Sequence, residues 1–261
     1  MRRTTMVGAA LLGLLPGVLE AQQAPDGAIE IPLRTVAGRF LVPVQLASGA
    51  QMDFVLGLGA TFLTRSGAAR IGEDRRGLTL GGLPVALGTA QVVPDDLAAL
   101  DGGPAPEGIG GIVGSETFNT FDVLVDAPNG RLLLKPAARS VRWPGFTLSN
   151  PVGVQVIHDM LIRTDVEMGG AIFGALLDLA GPTMVISEAA SRTAGVQDGS
   201  VDFRMGYASY PARRTRVLPL QLFPRWGDGE GKGFVLIGAE MARDCVLAVS
   251  YVHQEIRTCM R

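Results

Sequence analysis

The sequence predicts a mostly β protein built from two similar halves with few short helices, and three observations carry that expectation. The segment Leu176 to Ser187 is an apolar strand, a tight turn of small residues, a second apolar strand and a serine, and Val55 to Ser66 has the same layout. Later landmarks recur in the same order about 120 residues apart. Gly111 to Thr117 reads like Gly-poor but otherwise similar Val235 to Met241, and the hairpin about Asn129-Gly130 reads like Val246 to Thr258. The composition agrees: 47% hydrophobic residues against 18% charged allow a sizeable core, and 35 glycines suit many tight turns.

Taken in order, Arg2 and Arg3 precede an apolar run from Met6 to Leu19 that ends near Ala21, the pattern of an export signal. The run is too short to be a comfortable membrane span. Phe40, Val42, Val44 and Leu46 alternate as in a half-buried strand, Ser48-Gly49 turns the chain, and Met52 to Leu56 returns. Ser66 is placed to cap a short helix, and Asp95 another. Strand pattern continues from Leu78 to Val93, a Gly/Pro-rich loop runs from Asp101 to Gly108, and Pro128-Asn129-Gly130 marks a hairpin. The prolines between 136 and 153 read as a linker, in which Trp143 and Phe146 are expected to pack. The expected division is an export signal over 1–21, a first lobe over 22–136, a linker over 137–153 and a second lobe over 154–261.

Charge and cysteine content narrow the function classes. A net charge of −2 gives no reason to expect nucleic acid or an anionic membrane as partner. Arg213, Arg214 and Arg216 read as a solvated face. Cys245 and Cys259 flank a hairpin that turns near Val252 and His253; export favours a disulfide between them, and two free thiols are the alternative. His158 and His253 have no ligand-like spacing, so neither a metal nor another cofactor is expected.

An apolar strand, an acid-bearing turn of small residues, a second apolar strand and a downstream Ile-Val-Gly-like segment with a hairpin together resemble aspartic peptidases of the retropepsin and pepsin type. The resemblance spans Pro32 to Cys259. It implies two aspartic-peptidase-like β-barrel lobes in a pepsin-like bilobal arrangement, with one Asp from each lobe at a shared site. Two such carboxylates share a proton, so that one is the base toward water and the other the acid toward the scissile carbonyl. Carried over, the second lobe keeps Asp178 but has Leu179 and Ala180 where Thr and Gly stand in the family, followed by Gly181. The first lobe keeps Gly59, Ala60 and Thr61 but has Gly57 in place of the acid and Leu58 in place of the Thr.

A glycine neither holds nor transfers a proton. The expectation is therefore an exported protein, periplasmic or extracellular, that lacks peptidase activity and binds an extended peptide or protein in its inter-lobe cleft, with no membrane span. The cleft floor would be Gly57, Leu58, Gly59, Ala60, Leu179, Ala180 and Gly181, and Asp178 is the candidate catalytic residue. Asp178 as an inert acid bonded to turn amides is the plainer reading of that residue. The alternatives for the whole are an active aspartic-type endopeptidase that pairs Asp178 with an unidentified second acid, and a purely structural exported β protein with a plugged cleft.

Overall fold

The computed structural model describes residues 22–23, 27–72, 77–87, 91–95, 108–137, 142–157, 161–196, 199–218 and 233–259. The expected export signal, the helix expected to follow Asp95, all but the last residue of the loop expected over 101–108 and the glycine-containing stretch 227–232 lie outside them. The strands of the first half are β1 (Gln22–Gln23), β2 (Ile29–Pro32), β3 (Arg34–Val36), β4 (Arg39–Gln45), β5 (Gln51–Leu56), β6 (Phe62–Thr64), β7 (Thr79–Leu80), β8 (Leu83–Pro84), β9 (Gln91–Val93), β10 (Gly111–Val113), β11 (Phe121–Asp126) and β12 (Arg131–Pro136). Its helices are α1 (Arg65–Ile71) and α2 (Ser115–Phe118). The second half holds β13 (Val152–Gly153), β14 (Gln155–Ile157), β15 (Leu161–Met168), β16 (Ala171–Leu177), β17 (Met184–Ser187), β18 (Ser200–Met205), β19 (Ala208–Leu218), β20 (Val235–Ile237), β21 (Leu247–Ser250) and β22 (Glu255–Thr258), with α3 (Glu188–Ala194) and α4 (Glu240–Arg243). The protein is thus mostly β with few short helices.

Three sheets organise it. One has the order β8-β7-β4-β5-β10-β6-β9, with β3 added to β4. A second has the order β14-β15-β16-β20-β17-β19-β18 and closes on itself through β15 and β18. The same local pattern lies inside both. In the first, β10 runs parallel to β5 and antiparallel to β6; in the second, β20 runs parallel to β16 and antiparallel to β17. The third sheet draws on both halves in the order β1-β2-β12-β11-β21-β22-β13, with the β11–β12 and β21–β22 hairpins meeting edge to edge through Val123↔Val249 and Leu124↔Ala248. Alternation explains its two faces. Val123, Val125, Leu247 and Val249 join a main core shared by both halves, while Leu124, Leu133 and Ala248 face the other way and are covered by Trp143 and Phe146, as their aromatic character in a proline-rich linker predicts.

Local chemistry departs from the sequence expectation in three places. The cap of α1 is Thr64, whose Oγ1 accepts from the Gly67 amide, not Ser66; the Ser66 amide donates instead to Asp95. Asp126 enters a hairpin turn, where an Asp commonly bonds nearby backbone, but it is fully buried and accepts from the side chains of Asn129 and Arg131, because β12 brings Arg131 back beside it. Arg213 is not on a solvated face: it is 7% exposed, lies over the Tyr210 ring and donates to Asp244, whereas Arg214 and Arg216 are exposed. Alternation along β19 puts Arg213 on the inner side of the barrel. Cys245 and Cys259 form a disulfide with a Cα separation of 5.7 Å, closing the β21–β22 hairpin. Among the described residues no helix is long and apolar enough to cross a membrane.

Candidate functional site: two facing turns

The turn after β5 is held by the strand that crosses it. The Gly57 amide donates to Val113 O at 2.9 Å, and Gly59 O accepts from the Ser115 amide at 2.7 Å. Glu116, at the start of α2, takes both donors of Thr61 on one oxygen, the amide at 2.9 Å and Oγ1 at 2.7 Å, and Thr61 Oγ1 accepts in turn from the Gly114 amide. The turn after β16 repeats the frame. The Asp178 amide donates to Ile237 O at 3.0 Å, Gly181 O accepts from the Ala239 amide at 2.7 Å, and Glu240 accepts from the Met184 amide at 3.4 Å. Ser187 caps α3 as Thr64 caps α1. In both turns the crossing strand passes so close that only glycine fits: a Cβ on Gly114 would lie 2.1 Å from Gly59 O, and one on Gly238 would lie 2.3 Å from Thr183 O.

These bonds fix which residues correspond. Gly57 matches Asp178, but Gly59 matches Gly181 and Thr64 matches Ser187, so the second turn is two residues longer than the first. Ala180, read from sequence as standing where Gly is expected, is an added residue instead. Its amide donates to Asp178 Oδ1 at 3.0 Å, the tight Asp-to-backbone turn that short acidic side chains favour. Leu58 and Leu179, at the positions after Gly57 and Asp178, are both fully buried and fill core space.

The two turns touch. A Cβ on Gly57 would lie 3.8 Å from Ala180 Cβ, and one on Gly38, in the β3–β4 turn, 3.1 Å from Pro182 Cβ. A Cβ on Gly59 would lie 2.7 Å from the end of the Leu161 side chain. Ala180 joins Leu41, Val55 and Ile109 in one apolar cluster, with Ile112 against it. Asp178 is half-buried at this meeting point. Of the residues expected at the floor, Gly57, Gly59, Ala180 and Asp178 are therefore brought together, and position 57 brings no side chain.

Three residues that sequence reasoning passed over complete the floor. Arg39 is 1% exposed, and its Nη1 donates to Ala180 O at 2.5 Å across the two halves. Tyr251, directly after β21, donates its hydroxyl to Leu58 O at 2.8 Å. Burial raises the Tyr251 phenol well above its ordinary value, and the Asp178 and Glu116 carboxylates push it further, so it is a neutral donor at any physiological pH. Leu161 packs on Gly59. No sequence period links these positions; the only local signal was the repeated Gly-x-Glu placing Glu116 and Glu240 two residues after Gly114 and Gly238. Among the described residues no cluster of three or more His, Cys, Asp or Glu is placed to hold a metal ion. No protein-family model matches the chain, and no curated protein matches it either.

Proposed function

We propose that the protein is an exported, two-lobed relative of aspartic peptidases in a pepsin-like arrangement, catalytically incomplete, whose inter-lobe cleft holds an extended peptide or protein segment. The observation that carries the reading is the matched backbone frame of Gly57 and Asp178, with a carboxylate on one side only. Dyad chemistry needs one carboxylic acid and one carboxylate at bonding distance, and one acid cannot do both jobs. Restoring the second is opposed by packing, since a Cβ at position 57 would lie 2.7 Å from the Ile112 side chain. Strand-on-edge pairing is how a floor of this kind holds a peptide without cutting it, backbone bonds giving affinity and alternate pockets selectivity. The disulfide fits an oxidising, exported location.

The test incubates the intact protein with a denatured protein substrate between about pH 3 and 7, where carboxylate dyads operate, beside Asp178→Asn. The same proteins are titrated against a library of unstructured peptides. No cleavage, with saturable peptide binding, is the expected result. Cleavage that disappears in Asp178→Asn overturns the reading in favour of an endopeptidase with a second acid. Neither cleavage nor binding overturns it in favour of a purely structural protein.

A further inference from the structure

The β4–β5 ladder ends at Leu41 and Val55, and the same spacing carried two residues beyond it would set Arg39 opposite Gly57. Cross-strand partners share a face, so Arg39 points where a side chain at position 57 would point, toward the turn of the other half; its bond to Ala180 O agrees. The β15–β16 ladder ends at Ile162 and Leu177, and the same spacing carried one residue beyond it would set Leu161 opposite Asp178. Leu161 reaches Gly59 in the first turn just as Arg39 reaches Ala180 in the second. Each half thus carries a turn residue and an opposite-strand residue that crosses to the other turn. In the first half these are Gly57 and Arg39. In the second they are Asp178 and Leu161.

We infer that Arg39 is the counter-charge of Asp178, an ion pair across the two halves that takes the place of the carboxylate missing at position 57. A guanidinium buried to this degree is retained only with an opposite charge close by. Asp53 pairs with Arg34 toward the other end of β5, and Glu116 is engaged by Thr61. Asp178 is the acid whose own Oδ1 binds the residue that Arg39 touches: Ala180 offers its amide to Asp178 and its carbonyl to Arg39. The apolar pair follows the same logic in reverse. With no charge at Gly57, the strand that faces its turn carries Leu161. The pair closes the floor from below and holds Asp178 as an anion, so an acid introduced at position 57 meets a guanidinium before it can share a proton with Asp178. The inference concerns the floor and does not depend on whether a peptide binds above it.

A double-mutant cycle tests it with Arg39→Met, Asp178→Asn and both together, read as urea midpoints of the full chain. Met keeps the stem of Arg39 without its charge, and Asn keeps the acceptor for the Ala180 amide. Each single change strands one charge, the buried Arg39 or the half-buried Asp178, and lowers the midpoint; the double variant strands none, and its midpoint lies no lower than that of the weaker single variant. A role limited to the Ala180 carbonyl predicts additive shifts instead, because Asp178→Asn leaves that bond intact, and additive shifts overturn the inference. If a single variant is too unstable to purify, yields of soluble folded protein are compared. Recovery in the double variant supports the pair; failure of the double variant as well overturns it. Peptide binding by the unmodified protein is measured separately, so the fate of the functional proposal is read from a different result.

Discussion

The turn after β5 and the turn after β16 are hung from the same backbone bonds, yet one is short and uncharged and the other is two residues longer and carries an acid. The difference teaches where constraint lies in this architecture. The crossing strands β10 and β20 must pass within bonding distance of each turn, so Gly114 and Gly238 are dictated by sterics alone. Side chains on the turns are held only by what faces them. They differ in a complementary way: a buried arginine meets the acidic turn, and a leucine meets the neutral one.

The largest expected effects break the shared frame. Gly114→Ala and Gly238→Ala each force a methyl into a backbone carbonyl, and each is expected to lose about 3 kcal/mol or more of unfolding free energy. Urea unfolding of both variants checks this, and a large loss in one with tolerance in the other would mean that the two crossings are not equivalent. Next comes a feature only the second half has. Replacing Cys245 and Cys259 by Ala removes a link across 14 residues, for which a loss of about 3 kcal/mol is expected. Hydrogen exchange should quicken in β21, β22 and the Leu148 bridge to Cys259 while β4 and β5 stay protected. Faster exchange spread evenly over both halves would show that the disulfide braces the whole molecule.

A smaller effect is expected at the link between the shared sheet and the first turn. Tyr251→Phe removes the donor to Leu58 O and leaves that carbonyl buried, a loss of about 1 kcal/mol. The floor should also loosen near Leu58 and Gly59 and not near Gly181, which amide exchange at those residues reads directly.

Much of this was legible in the sequence because it rests on local pattern. Alternation gave β4 and β5, Asn129-Gly130 the β11–β12 hairpin, and the repeat of strand, small turn and strand the two similar sheets. The register of the repeat was not legible. Ser66-Gly-Ala-Ala resembles Ser187-Glu-Ala-Ala and invites alignment of the two serines, but it is the hydroxyl positioned to cap the helix that corresponds, and in the first half that is Thr64. Ala180 hid in the same way, since one more small residue in a turn leaves no periodic trace. Arg39 finds its partner 141 residues away, and Arg213 is buried by a barrel closure between β15 and β18. Charged residues that look solvated in a local window become interior when distant strands close over them.

The smallest expected effect separates two glutamates that hold equivalent posts. Glu116 accepts two short bonds from Thr61, whereas Glu240 is 6% exposed and accepts one long bond from the Met184 amide. Burial raises the Glu240 carboxyl above its ordinary value of 4.5, with the Met184 amide and the Arg213, Arg243 and Arg214 charges pulling the other way less strongly. A carboxyl whose folded value is raised binds its proton more readily in the folded chain than in the unfolded one. Its contribution to stability is then complete below the ordinary value and is lost as pH rises through the raised one. Glu240→Gln cannot titrate, so the wild type should be favoured most at the acid end, and its advantage over the variant should shrink as pH rises through that window and stay level above it. Glu116→Gln weakens charge-assisted bonds and should lose about 1 kcal/mol near neutrality. Urea midpoints of the three proteins from about pH 4 to 7 decide the matter. An advantage of wild type over Glu240→Gln that grows with pH would mean that the surrounding arginines outweigh burial, and that Glu240 is held as a carboxylate.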